Sequence, residues 1–289
     1  MKLSKIIILL SLILIFNGCL KKEADTVSTN TVEDLKTYFH WTPESKSLIS
    51  AHRGGPYAGF PENCIETFEN IISFTPALIE CDVARTKDGV LVMMHDNAVD
   101  RTTSGSGLVT DLTFAEIRKL KLKDNDGKIT GYKVPTFREV LDWARDKAIL
   151  TVDIKRSVAF EEIIKEIRDA NAESYSVVIV YSVGAAIKMH KLAPELMLSV
   201  TIKNKAEFER IKETGIPLDQ LMAFTGVTAL NKEHYKMLHD EGIYCIIGTM
   251  GNIDRSAVKR GDKVYEKLIE MGVDVLATDR PIEAAKVIR

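Results

Sequence analysis

Nine short runs rich in Ile, Val and Leu recur along the chain, mostly separated by longer stretches of helical period, and this alternation constrains the fold more than any other feature. The runs cover residues 48–53, 77–84, 90–94, 149–155, 176–181, 196–200, 220–224, 244–247 and 273–277. Only residues 85–89 separate the second run from the third, too few for the crossover of about a dozen residues that a parallel pair needs. Those two runs are therefore expected to form an antiparallel hairpin turning at Lys87, Asp88 and Gly89. Eight strands remain, each neighbouring pair joined by a segment long enough for a helix, for example residues 160–171 and 232–241. Eight parallel strands over about 250 residues predict an α/β fold, a (β/α)8 TIM barrel, although an open doubly wound sheet would give a similar string. Residues 97–135 exceed a single crossover and carry Gly105, Gly107, Gly127 and Gly131 with a short helix near residues 114–120. They read as an insertion between barrel strands 2 and 3, at the rim where barrel sites are built.

The N-terminus carries a separate signal. Lys2 and Lys5 precede the apolar run 6–16, which leads into Asn17, Gly18 and Cys19. The run is too short to span a bilayer and has the order of a secretory signal. A Cys directly after a small residue at its end is where bacterial lipoprotein signals are cut and lipidated; an ordinary secretory signal is the alternative. The expected organisation is a signal peptide over residues 1–18, a flexible lipid-anchored linker over 19–40 and one barrel domain over 41–289. Lipidation at Cys19 would place the protein outside the cytoplasm, anchored to the cell envelope on its periplasmic or surface face. With 39 basic and 41 acidic residues and no basic block, nucleic acid is not an expected partner. Apart from Cys19, the cysteines are Cys64, Cys81 and Cys245, widely spaced, which indicates neither a zinc knuckle nor a disulfide framework. The sequence carries no signal for the oligomeric state.

Strand side chains alternate between faces, so Glu80 and Asp82 share one face while Cys81 takes the other, and Asp153 shares a face with Lys155. Three carboxylates converging on one rim repel unless a cation or Lys155 neutralises them. Oxygen-only ligands suit a hard ion, Mg²⁺ or Ca²⁺, rather than Zn²⁺; a salt-bridge layer without metal is the alternative. His52 and Arg53 close the first run and His95 the hairpin, on the same rim. Two imidazoles beside a cation and an Arg suit phosphodiester cleavage by general acid and base catalysis. His40, His190, His234 and His239 fall in linker or helical stretches and are expected at the surface.

The ordered motifs His52-Arg53-Gly54, Pro61-Glu62-Asn63, Glu80-x-Asp82, Thr86-x-Asp88-Gly89, His95-Asp96 and Asp100-Arg101-Thr102-Thr103-x-Gly105-x-Gly107 resemble the glycerophosphodiester phosphodiesterases. Val134-Pro135-Thr136, Asp153-x-Lys155 and Thr278-Asp279-Arg280-Pro281 extend the resemblance through residue 281. It implies a metal-dependent phosphoric diester hydrolase that converts glycerophosphodiesters, the deacylated phospholipids, to glycerol 3-phosphate and an alcohol. It also implies His52 and His95 as the acid/base pair, Arg53 as a phosphate contact, and Glu80, Asp82 and Asp153 as ligands of one divalent cation. Asn63 and Lys155 would lie near the phosphate. The chain departs from the family pattern at Asp153, where Glu is usual, at Cys64 for Thr, and at Gly248-Thr249 for a Trp-Thr pair. Two other readings share the same residues: cleavage of intact or lyso-phospholipids in the manner of a phospholipase C or D, and a surface lipoprotein that binds a partner with vestigial catalysis.

Overall fold

The structure is a computed structural model and describes residues 29–288; the expected signal peptide, Cys19 and Arg289 lie outside the described residues. Its strands are β1 (Leu48–Ala51), β2 (Leu78–Arg85), β3 (Leu91–Met93), β4 (Leu150–Ile154), β5 (Ser176–Val180), β6 (Met197–Thr201), β7 (Leu221–Phe224), β8 (Tyr244–Gly248) and β9 (Val275–Thr278). Each falls within a few residues of one of the nine apolar runs. Strand order is β1-β9-β8-β7-β6-β5-β4-β2-β3, and an additional parallel pairing of β1 with β2 closes eight strands into a (β/α)8 barrel. Among the described strands β3 pairs with β2 alone, antiparallel, with Val83 opposite Met93. The five-residue gap forced that arrangement, because no parallel crossover fits within it.

The insertion between the second and third barrel strands has its own small apolar cluster, in which Val99, Val109, Ile117 and Leu122 pack on Val92, Met94 and Cys64. That cluster ties the insertion to β3 and to the loop after β1, so it sits as a fixed wall beside the rim. The return to the barrel is set by Thr136, whose side chain accepts from Glu139 N while Glu139 reaches back to Thr136 N, a capping box that starts the helix Phe137–Ala144.

Two expectations need correction. The flexible linker does not extend to residue 40: Val32–Tyr38 is a helix opened by a Thr31/Asp34 capping box, with Leu35 and Phe39 buried in the main core. The polar composition of this stretch concealed two apolar residues at i, i+4 spacing, enough to dock one face of a short helix. His239 is not a surface histidine either. Its side chain is 10% exposed, donates or accepts through Nε2 at 2.9 Å from Asp274 Oδ2, and stacks on Trp41 with ring centroids 3.9 Å apart. Among the described residues no helix is long and apolar enough to cross a membrane.

Candidate active site

β1, β2 and β4 place their inward side chains at the C-terminal mouth of the barrel. β2 is buried on both faces, yet Glu80 and Asp82 line the central cleft while Cys81 packs into the core, as strand parity requires. The parallel register sets Asp82 directly opposite Asp153 on β4, and Glu80 opposite Thr151. Like charges face one another across that pair, an unfavourable arrangement unless a third group intervenes. Lys155 Nζ answers it, lying 2.6 Å from Asp82 Oδ1 and 2.6 Å from Asp153 Oδ2.

One ammonium among three carboxylates leaves negative charge over. Glu80, 7% exposed, accepts from the Arg53 backbone N–H at 2.6 Å, and burial followed by the charge of Asp82 pushes its carboxyl up to about 8. Burial also opposes ionisation of Asp82, but the Lys155 charge and the Asn63 amide outweigh it and hold this carboxyl below its usual range. Asp153 Oδ1 is buried with no hydrogen-bond partner. One oxygen from each of Glu80, Asp82 and Asp153 can be chosen so that all lie within 4.8 Å of one another. This oxygen-only set with excess negative charge and an unpartnered inward lone pair fits a hard divalent cation.

The loop after β1 is shaped by backbone conformations that few residues adopt. Arg53 and Asn63 both have positive φ, 51° and 56°, outside glycine's usual monopoly on that region. Asn63 N donates to Arg53 O at 2.9 Å and Arg53 N to Glu80, so the strained turn is held from both sides. Gly54 is required there: a Cβ on it would stand 2.1 Å from Phe68 Cε1.

His52 and His95 line the same cleft from the ends of β1 and β3. Each is held through Nδ1 by a carboxylate, His52 by Asp279 at 2.7 Å and His95 by Asp96 at 2.7 Å. This leaves Nε2 of each ring as the nitrogen available to a bound molecule. Burial pulls the His52 imidazolium down in pKa, but the Asp279 hydrogen bond and the Glu80 charge outweigh it and raise the value. Arg53 turns toward Glu62, with Nη1 at 3.2 and 3.3 Å from its two oxygens, while its buried Nε makes no hydrogen bond and lies 3.9 Å from Asp82 Oδ2. The opposite wall of the cleft is largely apolar, built from Ile179, Tyr181, Phe224, Ile246 and Met250 with the hydroxyls of Ser199 and Thr201.

Of the residues expected at the site, His52, His95, Glu80, Asp82 and Asp153 line the cleft, whereas Arg53, Lys155 and Asn63 stand behind it, engaged with Glu62, with Asp82 and Asp153, and with Asp82 respectively. Asn63 does not present its amide to the cleft: it is 2% exposed, its Nδ2 donates to Asp82 Oδ2 at 2.7 Å and its Oδ1 accepts from Asp82 N at 2.9 Å. Both ends of the amide are used to orient Asp82. Asp279, Asp96, Glu62 and Arg101 have roles that the sequence did not reveal, although each lies within one of the ordered motifs. Tyr181 gave no signal beyond closing an apolar run.

The closed barrel with histidines and carboxylates gathered in a cleft at its C-terminal mouth has the layout of the TIM-barrel enzymes. Residues 52–283 match the glycerophosphoryl diester phosphodiesterase family. A glycerophosphodiester phosphodiesterase of Caldanaerobacter subterraneus subsp. tengcongensis is 36% identical over 162 residues, an alignment spanning 54% of this chain and 66% of that protein. The crystal structure of a glycerophosphoryl diester phosphodiesterase from Parabacteroides distasonis superposes with a TM-score of 0.88 at 38% identity, over 91% of this chain and 93% of that one. A phosphodiesterase from Oleispira antarctica, in complex with its product sn-glycerol-3-phosphate, shares the fold with a TM-score of 0.66 at 19% identity, over 83% of this chain and 96% of that one. The chain belongs to the glycerophosphoryl diester phosphodiesterase family and is a phosphoric diester hydrolase.

Proposed function

We propose that the chain hydrolyses glycerophosphodiesters to glycerol 3-phosphate and an alcohol, with His52 and His95 as the acid/base pair and one divalent cation, Ca²⁺ or Mg²⁺, held by Glu80, Asp82 and Asp153. The observation that carries this reading is the pair of imidazoles, each fixed at Nδ1 by its own carboxylate, facing one cleft with the acidic cluster. One ring takes the proton from the attacking water or hydroxyl as the new O–P bond forms. The other protonates the alkoxide as the P–O bond to the alcohol breaks. Arg53 supplies positive charge beside the phosphate from a turn already bent into place, and Lys155 keeps Asp82 ionised and bridges it to Asp153. When bound, the cation neutralises phosphoryl oxygen charge that these side chains alone would leave uncompensated. The product seen in the Oleispira antarctica enzyme is the one this chemistry gives.

The apolar wall of Ile179, Tyr181, Phe224, Ile246 and Met250 supports a second reading, in which the alcohol still bears an acyl chain. Assaying glycerol 3-phosphate or lysophosphatidate release from a headgroup diester and its lysophospholipid, side by side, decides between them. The first reading expects the deacylated diester to have the higher kcat/KM. For location, the signal sequence and Cys19 support export and lipid anchoring to the cell envelope. Incorporation of labelled palmitate that disappears in Cys19→Ala is the expected result; equal labelling of both proteins contradicts it.

A further inference from the structure

Arg101 belongs to the insertion and to none of the barrel strands, yet its hydrogen bonds lead to both sides of the site. Nε and Nη2 donate to Asp96 at 2.6 and 3.0 Å, while Nη1 and Nη2 donate to Glu62 at 2.8 and 2.8 Å. These two carboxylates are the groups that hold His95 and Arg53: Asp96 Oδ1 lies 2.7 Å from His95 Nδ1, and Glu62 receives Arg53 Nη1. Glu62 is 5% exposed, so its charge is met almost wholly by the two guanidinium groups. The fork spreads four hydrogen bonds from three nitrogens over the two carboxylates, a paired geometry that the single nitrogen of a lysine cannot reproduce.

We infer that Arg101 is a positioning residue for the hydrolysis, orienting His95 through Asp96 and Arg53 through Glu62, so that one side chain from the insertion sets the geometry between the acid/base group and the phosphate contact. The insertion then contributes to turnover as a brace as well as a wall. This inference rests on the roles proposed for His95 and Arg53.

The test compares Arg101→Ala, Arg101→Lys, His95→Ala and Val109→Ala, the last loosening the core of the insertion while leaving Arg101 in place. Glycerol 3-phosphate release is followed with glycerophosphocholine as the probe substrate. Arg101→Ala is expected to lower kcat by about 10- to 100-fold, the range typical of residues that orient those in direct contact, with a smaller change in KM. Arg101→Lys should stay close to Arg101→Ala, because it lacks the fork. Guanidinium ion at concentrations below those that unfold the protein should restore part of kcat to Arg101→Ala and none to Val109→Ala. The inference is overturned if Arg101→Ala keeps kcat within twofold, if Arg101→Lys behaves as wild type, or if Val109→Ala loses as much kcat with no difference in rescue. His95→Ala separates the two levels: full activity there would overturn the proposed chemistry itself, whereas a wild-type Arg101→Ala beside an inactive His95→Ala overturns the brace alone.

Discussion

Among the described residues two clusters of potential metal ligands sit at opposite ends of the barrel, and they differ in what their atoms still lack. At the mouth are Glu80, Asp82 and Asp153; at the opposite end are His239, Cys245 and Asp274, equally close together. In the lower cluster every carboxylate oxygen is engaged. Asp274 Oδ1 accepts from the Trp41 indole at 2.9 Å, and Oδ2 meets His239 and the Cys245 N–H at 2.9 and 2.6 Å. Asp274 thereby ties the segment before β1 to β8 and to the helix Lys232–His239. In the upper cluster Asp153 Oδ1 and Arg53 Nε are buried without hydrogen-bond partners, and burial pushes the Glu80 carboxyl up to about 8, against its ionisation. Ligand-type residues occur at both ends, but unsatisfied bonding capacity occurs at the mouth. The lower end is a clamp, the mouth a site.

The largest expected contrast is in turnover. His52→Ala and His95→Ala should each lower kcat by about 10² to 10⁴ while far-ultraviolet circular dichroism and Tm stay near wild type. Asp274→Ala should leave kcat per folded molecule unchanged. A comparable loss of kcat in Asp274→Ala would erase the distinction between the ends.

Stability should respond in the opposite sense. Removing Asp274 leaves Trp41, His239 and the Cys245 N–H without their shared acceptor, and each buried group left unsatisfied costs about 1–3 kcal/mol. Urea unfolding of Asp274→Ala measures it; a midpoint equal to wild type would contradict the clamp. Glu80→Gln in chelator-treated protein should be more stable than wild type at pH 8, by ~1–3 kcal/mol, because an incompletely compensated buried charge is removed. The sign follows from linkage. Between the ordinary value of 4.5 and about 8 the folded protein keeps a proton on Glu80 that the unfolded chain has released, so this group's contribution falls as pH rises through that window. The stability gap between Glu80→Gln and wild type should therefore widen from pH 5 to pH 8. A constant gap would place the unfavourable charge elsewhere.

The smallest effect is expected beside the mouth, where Cys64 occupies the N-cap of the helix Ile65–Ile72 without capping it. Cys64→Thr offers an acceptor of similar size and should raise stability by about 0.5–1 kcal/mol, read as a small rise in Tm. A fall would mean that packing of the Cys64 thiol in the insertion core outweighs the cap.

Much of this contrast was legible in the sequence at the mouth and little of it at the other end. Strand parity placed Glu80 and Asp82 on one face because alternation is a property of the backbone alone. It could not give the stagger that sets Asp82 against Asp153, since register depends on how eight strands close. The lower clamp joins Trp41, His239, Cys245 and Asp274 from distant segments with no motif linking them, so His239 read as an ordinary helical surface residue. Asn63 was recognisable as a motif residue, but its contact with Asp82 depends on the positive φ of the turn that carries it. The helix Val32–Tyr38 had a readable Thr31/Asp34 cap, which the polar composition around it outweighed.

The most direct test of the central claim is calorimetric titration of Ca²⁺ and of Mg²⁺ into chelator-treated protein lacking the N-terminal signal, with glycerol 3-phosphate release measured on the same samples. One of the two ions should bind with a stoichiometry near one and restore activity, and Asp153→Ala, which removes a ligand from the cluster, should lose both together. Full activity in the presence of chelator, with neither ion binding, would contradict the assignment of the acidic rim as a cation site.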